Sequence, residues 1–514
     1  MAVAAATAIA GGSAGCEGGH DAPKASAAGL PAAECGQPAA HGDAGRRTRA
    51  MWITTVNNGD WPDKRGLPAA EQQAQYRHLL DVAKKLNLNT VYVQVRPAAD
   101  AFYRSPYEPW SQYLTGHQGG DPGYDPLGFL VAEAHKRGLE FHAWFNPYRA
   151  SAQADRAKLA PNSQARLHPD WVHRYGGALW FDPGLPQVRD LVTRVVLDVV
   201  RRYDIDGVHL DDYFYPYPLP GQAFPDSATF KKYGKGYKGV GDWRRHNVDA
   251  LIQTLHTQIH QAKPYVRFGV SPFGVWRDKS KDPAGSATSA LQSYDDIYAD
   301  SRKWVRSGWV DYIAPQLYWP IGFKAADYRT LVAWWAKQVA GTRTQLVIGQ
   351  AAYQVGQAGP WKDPAELSRH VAIDARDPRV GGEAYFSARD LAQDRKGFAS
   401  RLLRDHYARP ALAPVAAGGP APSAPGHLKV KDGKLTWEGS GATEYAIYRA
   451  PDKGPACIAP DGRFLVKVVA GDVHTTTDKT AKAGQSYTYY VTALNRRHRE
   501  SPTTHGTPMT AGHA

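Results

Sequence analysis

Along most of this chain, short runs with apolar residues at alternate positions are interleaved with longer stretches whose apolar residues recur every three or four positions. The short runs are 50–56 (AMWITTV), 90–96 (TVYVQVR), 140–146 (EFHAWFN), 207–213 (GVHLDDY), 267–273 (RFGVSPF), 312–319 (YIAPQLYW), 345–352 (QLVIGQAA) and 382–387 (GEAYFS). The longer stretches are marked by Leu79, Leu80, Val82, Ala83 and Leu86, then by Leu127, Leu130, Val131 and Ala134. Val188, Leu191, Val192, Val195, Val196 and Val199 mark a third, and Leu251, Leu255 and Ile259 a fourth. A period of two belongs to a strand and a period near 3.6 to a helix. Gly138, just after Lys136-Arg137, reads as a helix C-cap. Eight β/α alternations between residues 49 and 408 predict an α/β protein built on a (β/α)8 TIM barrel with long loops. An open doubly wound sheet is the alternative; no glycine-rich phosphate loop follows the first strand, which counts against it.

Strand alternation also assigns faces. Tyr92, Gln94 and Arg96 share one face of their strand, and Val91, Val93 and Val95 the other. His142, Trp144 and Asn146 oppose Phe141, Ala143 and Phe145; His209 pairs with Asp211, and Gln316 with Tyr318. The apolar sets can cover helices while the polar sets line the barrel axis. Polar residues at the C-terminal ends of barrel strands belong to sites, whereas those nearer the N-terminal ends serve stability. For the deeper Gln94 and His142 a buried polar network is the competing reading.

The flanks differ in composition. Residues 1–47 are rich in Ala, Gly and Pro and read as a leader and flexible tether. Within them, an apolar segment followed by Ser13-Ala14-Gly15-Cys16 resembles a bacterial lipoprotein signal, which predicts export to the cell surface or beyond and lipidation at Cys16. The barrel region is expected over 48–407. Residues 408–422, dense in Pro, Ala and Gly, read as a linker, and a β-rich unit follows over 423–509. The net charge is +13. Such a charge suits acidic partners, nucleic acid or anionic wall polymers. Without a Lys/Arg run or a nucleic-acid motif, a diffuse solvated surface accounts for it, and no nucleic-acid partner is expected. The three cysteines, Cys16, Cys35 and Cys457, form no CxxC pair, so neither a zinc site nor a disulfide framework is expected.

The densest chemistry lies at 206–214, Asp-Gly-Val-His-Leu-Asp-Asp-Tyr-Phe. A short apolar strand runs into two carboxylates and two aromatics. Glycoside hydrolysis needs two carboxyl groups, one as acid and one as nucleophile or base. Neighbours on a strand point to opposite faces. Asp211, on the face of His209, is therefore expected to be the nucleophile or base, with Asp212 in support. Asp100, just past the second strand, is the first choice for the acid. Glu383 is second but sits near the start of its strand. Asp182 and Asp121 lie on loops, where turn and cap roles are commoner. Trp61, Tyr103, Tyr107, Trp110, Tyr148, Tyr213, Phe214, Tyr215, Tyr217, Trp276, Tyr318 and Trp319 all follow expected strands, and flat side chains pack on the C–H faces of sugars. Arg96, Arg149 and Arg277 on the same rim suit acidic or N-acetylated sugars. Asn57, Asn146 and Gln316 can hold hydroxyl or amide groups. The expected substrate-binding set is Arg96, Asn146, Tyr148, His209, Tyr213, Tyr215, Trp276, Gln316, Tyr318 and Trp319. No HExxH or Gly-x-Ser-x-Gly pattern is present, and no metal or cofactor is expected.

Several blocks carry a family resemblance. They are Arg49-Ala50-Met51-Trp52-Ile53, Val93-Gln94-Val95-Arg96-Pro97 with Asp100-Ala101-Phe102-Tyr103, His142-Ala143-Trp144-Phe145-Asn146-Pro147-Tyr148, Asp206 through Pro216, and Ala314-Pro315-Gln316-Leu317-Tyr318-Trp319. In this order, over about residues 48–405, they resemble glycosyl-hydrolase-like family 10, a group of bacterial envelope proteins. The resemblance implies a TIM-barrel glycosidase and cleavage of peptidoglycan glycan strands, in particular strands stripped of stem peptides. It does not assign acid and base. Gly207-Val208-His209-Leu210-Asp211 is also similar to the fourth-strand block of the α-amylase group, which implies a nucleophile at Asp211. His209 stands where that group has Arg, however, and its strand-five Glu has no counterpart. The tail, with Leu435-Thr436-Trp437, Tyr445 through Arg449 and Tyr487 through Asn495, resembles a fibronectin type III domain. The reading is an exported glycoside hydrolase whose partner is a cell-wall polysaccharide, with membrane contact only through a lipid at Cys16. Two alternatives stay open: a non-catalytic glycan-binding scaffold on a degenerate barrel, and a lytic transglycosylase.

Overall fold

The computed structural model describes residues 46–416, 418–452, 458 and 460–511. The leader, the lipidation site expected at Cys16, and the other two cysteines lie outside these residues.

Eight parallel strands close into a ring: β1 (Thr48–Ile53), β2 (Thr90–Arg96), β3 (Glu140–Phe145), β4 (Gly207–Leu210), β5 (Arg267–Val270), β6 (Tyr312–Ile313), β7 (Gln345–Gln350) and β8 (Val380–Tyr385). Each pairs with its neighbours in sequence, and β8 returns to β1 through Arg49↔Glu383 and Ala50↔Ala384. The closed ring is a TIM barrel and excludes the open sheet. The expected helices span Ala69–Lys85, Pro126–His135, Pro186–Arg202 and Val240–Ala262. In the third, Val188, Leu191, Val192, Val195, Val196 and Val199 are all buried. Such side chains contribute ~1.5–3 kcal/mol each on leaving water.

Strands four to six are shorter than their sequence patterns. β5 stops two residues before Pro272 and β6 two before Pro315, where a missing N–H interrupts the ladder. β4 stops at Leu210, which frees both following aspartates from strand geometry. The facing assignment holds for the strands themselves. Val91, Val93, Val95, Phe141, Ala143 and Phe145 join the outer core under the helices. Trp52, Tyr92, Trp144 and Tyr312 cluster inside the ring. Glycines make room for that inner layer: a Cβ on Gly207 would sit 2.4 Å from the His142 ring, and one on Gly269 would sit 2.2 Å from the Tyr312 ring.

One element has no counterpart in the sequence reading. Arg149–Ser151, Val172–Tyr175 and Ala178–Phe181 form a three-stranded antiparallel sheet between β3 and β4. Its hairpin turns at Gly176 and Gly177, both at positive φ, the pairing that two-residue hairpin loops favour.

The tail folds as seven strands in two antiparallel sheets, of three and four strands. They face each other across Leu435, Trp437, Tyr445, Ile447, Tyr489 and Val491. The segment at 408–422 is not a free linker. Arg47 N–H donates to the Leu412 carbonyl at 2.9 Å, Asn89 holds the Ala411 carbonyl at 3.0 Å, and Leu412 is buried with tail residues. The tail docks at the N-terminal ends of the barrel strands. His498 lies 2.8 Å from Glu140 at the start of β3 and 3.5 Å from Glu444 of its own module. Arg496 pairs with Asp204 and Asp206, and Arg46 with Glu500 at 2.7 Å. No helix among the described residues is long and apolar enough to cross a membrane.

Candidate active site

At the opposite end, where the strands finish, a cavity of about 320 Å³ opens. Asp211 and Asp212 both line it, and among the described residues they are its only carboxylates. The expectation that the two point to opposite faces fails because β4 has already ended at Leu210. Arg149 is the single cation in the lining. Trp52, Trp144, Tyr213, Tyr217, Tyr318, Tyr353 and Phe386 supply aromatic wall.

Asp211 is held from β3. The Trp144 indole N–H donates to its Oδ2 at 3.1 Å, and the Asn146 amide to the same oxygen at 3.0 Å. Asn146 is fixed in turn, since its Oδ1 accepts the Arg149 backbone N–H at 2.8 Å. Burial, followed by the adjacent Asp212 charge, raises the Asp211 pKa to about 7. Burial also raises that of Asp212, against hydrogen bonds from Tyr217 and Gln316. Each charge opposes ionisation of the other in a poorly solvated site, and Asp211 is the one lifted into the neutral range.

Beneath the aspartates, His209 is fully buried and does not reach the cavity, contrary to its expected substrate contact. Its Nε2 accepts the Trp52 indole N–H at 3.0 Å, and its Nδ1 lies 2.9 Å from the Tyr312 hydroxyl. An indole can only donate, so Nδ1 carries the proton and Tyr312 accepts it. Burial, then His142, holds the His209 pKa well below the usual value, and the imidazole is a neutral tie under β4.

Other expected contacts are also corrected. Arg96 is not at the rim. It is completely buried against Glu108, with Nη2–Oε1 at 2.5 Å, and donates to the Asn146 and Pro147 carbonyls at 2.5 and 3.0 Å. Asp100 is fully buried and lies outside the cavity lining. The loop after β2 folds back on its own strand, with Phe102 N–H donating to Val95 O at 3.0 Å, and carries Asp100 inward. Tyr148 and Tyr215 are buried in the core. The Trp276 indole is turned to Asp300 at 2.9 Å. Arg277 is committed to Asp282 and Asp295. Glu383 pairs with Arg47 at the far end of the barrel. Asp182 accepts from Gly184 N–H and lies 3.0 Å from the His173 ring, and Asp121 pairs with exposed Arg104. Tyr213, Gln316 and Tyr318 do line the cavity, and Trp319 lines the groove beside it. The sequence reading missed Trp52, Thr54, Tyr353 and Phe386. Trp52 could have been found, since it alternates with Ala50 as Gln94 does with Tyr92. Among the described residues no cluster of three or more His, Cys, Asp or Glu side chains could hold a metal ion.

A closed (β/α)8 barrel with paired carboxylates and aromatic walls at the C-terminal mouth defines a glycosidase. The chain belongs to the glycosyl hydrolase-like 10 family, whose model matches residues 47–365. It is 45% identical over 480 residues to glycosyl hydrolase YngK of Bacillus subtilis (strain 168), covering 90% of this chain and 93% of that protein. It is 40% identical over 379 residues to glycosyl hydrolase DigH of Escherichia coli (strain K12), covering 69% of this chain and 86% of that one. Among solved structures, the glycoside hydrolase domain of PgaB (BpsB) from Bordetella bronchiseptica aligns with a TM-score of 0.45 and 16% identity, over 70% of this chain and 98% of that one.

Arg96 acts on the site through Asn146. Arg96→Lys keeps the charge but loses the planar fork, and is expected to cost about 2 kcal/mol of stability. It should also lower kcat about tenfold with KM little changed, a loss of roughly 1.4 kcal/mol confined to the transition state. The diagnostic readout is the pH–rate profile. A loosened Asn146 stabilises ionised Asp211 less, so the alkaline limb moves upward. A limb that stays in place would show that Arg96 supports the fold alone.

Proposed function

We propose that this glycosidase hydrolyses a bacterial cell-wall glycan, most of all peptidoglycan strands stripped of stem peptides. The reading is carried by one observation: two adjacent buried carboxyl groups face an aromatic-walled cavity, where burial raises the pKa of one of them to about 7. That is the split a glycosidase needs. Asp211, expected from sequence to be the nucleophile or base, is better suited to be the acid that protonates the glycosidic oxygen. Asp212, with the Tyr217 hydroxyl donating to it, is the ionised partner that meets positive charge developing at the anomeric carbon. Asp100 has no part in this assignment. A wall glycan lies outside the membrane, so the proposal includes export. The tail, read as a fibronectin type III-like module, serves as a spacer docked away from the mouth.

Purified protein incubated with peptide-free peptidoglycan strands is expected to release new reducing ends. Binding with no new ends would support the scaffold reading instead, and anhydro ends would make the protein a transglycosylase. The acid must hold its proton, so the rate should fall as pH rises past about 7. A rate that climbs between pH 7 and 9 would remove Asp211 from the acid role.

A further inference from the structure

A second hollow, of about 490 Å³, adjoins the catalytic cavity and is the larger of the two. The two share Tyr217, Gln316, Tyr318 and Tyr353, so they lie side by side along a common wall. Beyond the shared wall the second hollow is lined by Phe273, Trp319, Phe323 and Trp361 with Pro320 and Pro360, and among the described residues no Asp, Glu, Lys or Arg contributes to it. Phe323 keeps 43% of its surface in water, so its ring is accessible to a ligand in the hollow. The Trp319 ring stands edge-on to Phe273 at 5.4 Å, which braces a flat surface at the edge of the hollow.

We infer that this trough binds the uncharged sugar rings of the same glycan chain, next to the ring whose bond is cleaved. The inference rests on the proposal that the Asp211 cavity takes a glycan. Pyranose rings offer apolar C–H faces to aromatic side chains, while Gln316, Gln354 and the tyrosine hydroxyls can meet hydroxyl and acetamido groups. Among the described residues that line it, an ionised carboxylate in the same place would find no cation to pair with. The nearest lining cation is Arg149, in the catalytic cavity. The cleft therefore favours a polymer whose ring over the trough is neutral, such as an N-acetylhexosamine, and chains longer than a disaccharide.

Calorimetric titration of the full chain carrying Asp211→Asn with the dimer and the hexamer of β-1,4-linked N-acetylglucosamine tests this. The hexamer is expected to bind at least about tenfold tighter, roughly one well-packed aromatic contact. Trp319→Ala and Phe323→Ala should each erase most of that gain and leave dimer affinity within about twofold, while Trp319→Phe retains it. Phe323 is exposed, so its variant tests the trough even if Trp319→Ala folds poorly. A hexamer of galacturonate, with one ionised carboxylate per ring, should gain nothing over its dimer. Equal affinity for N-acetylglucosamine dimer and hexamer, unchanged hexamer binding in both alanine variants, or an equal gain for the galacturonate hexamer would each overturn the inference. Binding rather than cleavage is read. Chain-length selectivity without hydrolysis of peptide-free peptidoglycan strands by the unmutated protein would sink the proposed activity and still support the trough.

Discussion

Asp211→Asn leaves the protein folded and lowers the release of reducing ends by about a thousandfold, within the range by which positioned acids accelerate such reactions. The substitution removes the proton donor and, besides it, the long hydrogen bond from the Tyr213 backbone N–H to Oδ1 at 3.3 Å. Both Trp144 and Asn146 donate to the same carboxylate oxygen, and an asparagine carbonyl can accept from both. The amide no longer carries charge into a buried site, so the melting temperature should stay level or rise slightly. Asp212→Asn is the informative companion. It removes the partner that meets cationic charge and also relieves Asp211 of a neighbouring negative charge. The alkaline limb of any residual activity should therefore move downward. Near-normal turnover in Asp211→Asn, measured on the same peptide-free strands, would remove the central role assigned here.

The barrel was legible because its strands alternate cleanly and its helices carry long apolar stripes. Val188 through Val199 read as a buried helix face without any knowledge of the neighbours. The two aspartates were legible for the same reason, as polar residues at the end of an apolar run. What sequence could not supply was the course of the chain past each strand. Asp100 and Tyr148 follow their strands at suitable distances, yet both turn inward and are sealed in the core. Arg96 sits on the inward face as alternation requires, but Glu108, twelve residues on, folds back to neutralise it. The expectation that Asp211 and Asp212 diverge assumed a strand that continues through them. Ring closure was the other hidden fact. Trp52 and Phe386 are far apart in the chain but meet at a centroid distance of 6.3 Å, because β8 pairs with β1. The docking of the linker was hidden for a related reason, since Ala411 and Leu412 are gripped by Asn89 and Arg47 from the start of the barrel.

The tail's attachment should be the most sensitive structural joint of the molecule. His498 is buried between Glu140 of the barrel and Glu444 of its own module. Burial opposes its charge, but Glu140 and Glu444 override that and bring its pKa up to about 10. Glu140, although burial works against it too, is held well below its usual value by His498. His498→Ala would leave Glu140 in the interface with Arg267 at 3.6 Å, the Thr90 hydroxyl at 3.0 Å and the His142 ring at 3.8 Å, and without its nearest ion-pair partner. The expected loss is about 3 kcal/mol, the low end for breaking a buried ion pair, because Arg267 compensates in part. The pH dependence has a definite direction. The folded pKa of His498 lies above its ordinary 6.5, so its contribution is complete below that value and disappears as pH rises through about 10. Glu140 acts in the opposite sense: its contribution holds above its ordinary 4.5 and is lost as acid protonates it. The joint should thus be firmest between the ordinary values of Glu140 and His498, weaken progressively as pH rises above about 6.5, and have lost the His498 contribution by about pH 10. Thermal unfolding of the unmutated protein should then split into separate tail and barrel transitions, as it should at pH 7 in His498→Ala. Cleavage at neutral pH should be unaffected in that variant, because the tail meets the barrel at the end opposite Asp211. A single unshifted transition in His498→Ala, with the same alkaline loss of stability as the parent, would show that the charge on His498 does not hold the two domains together.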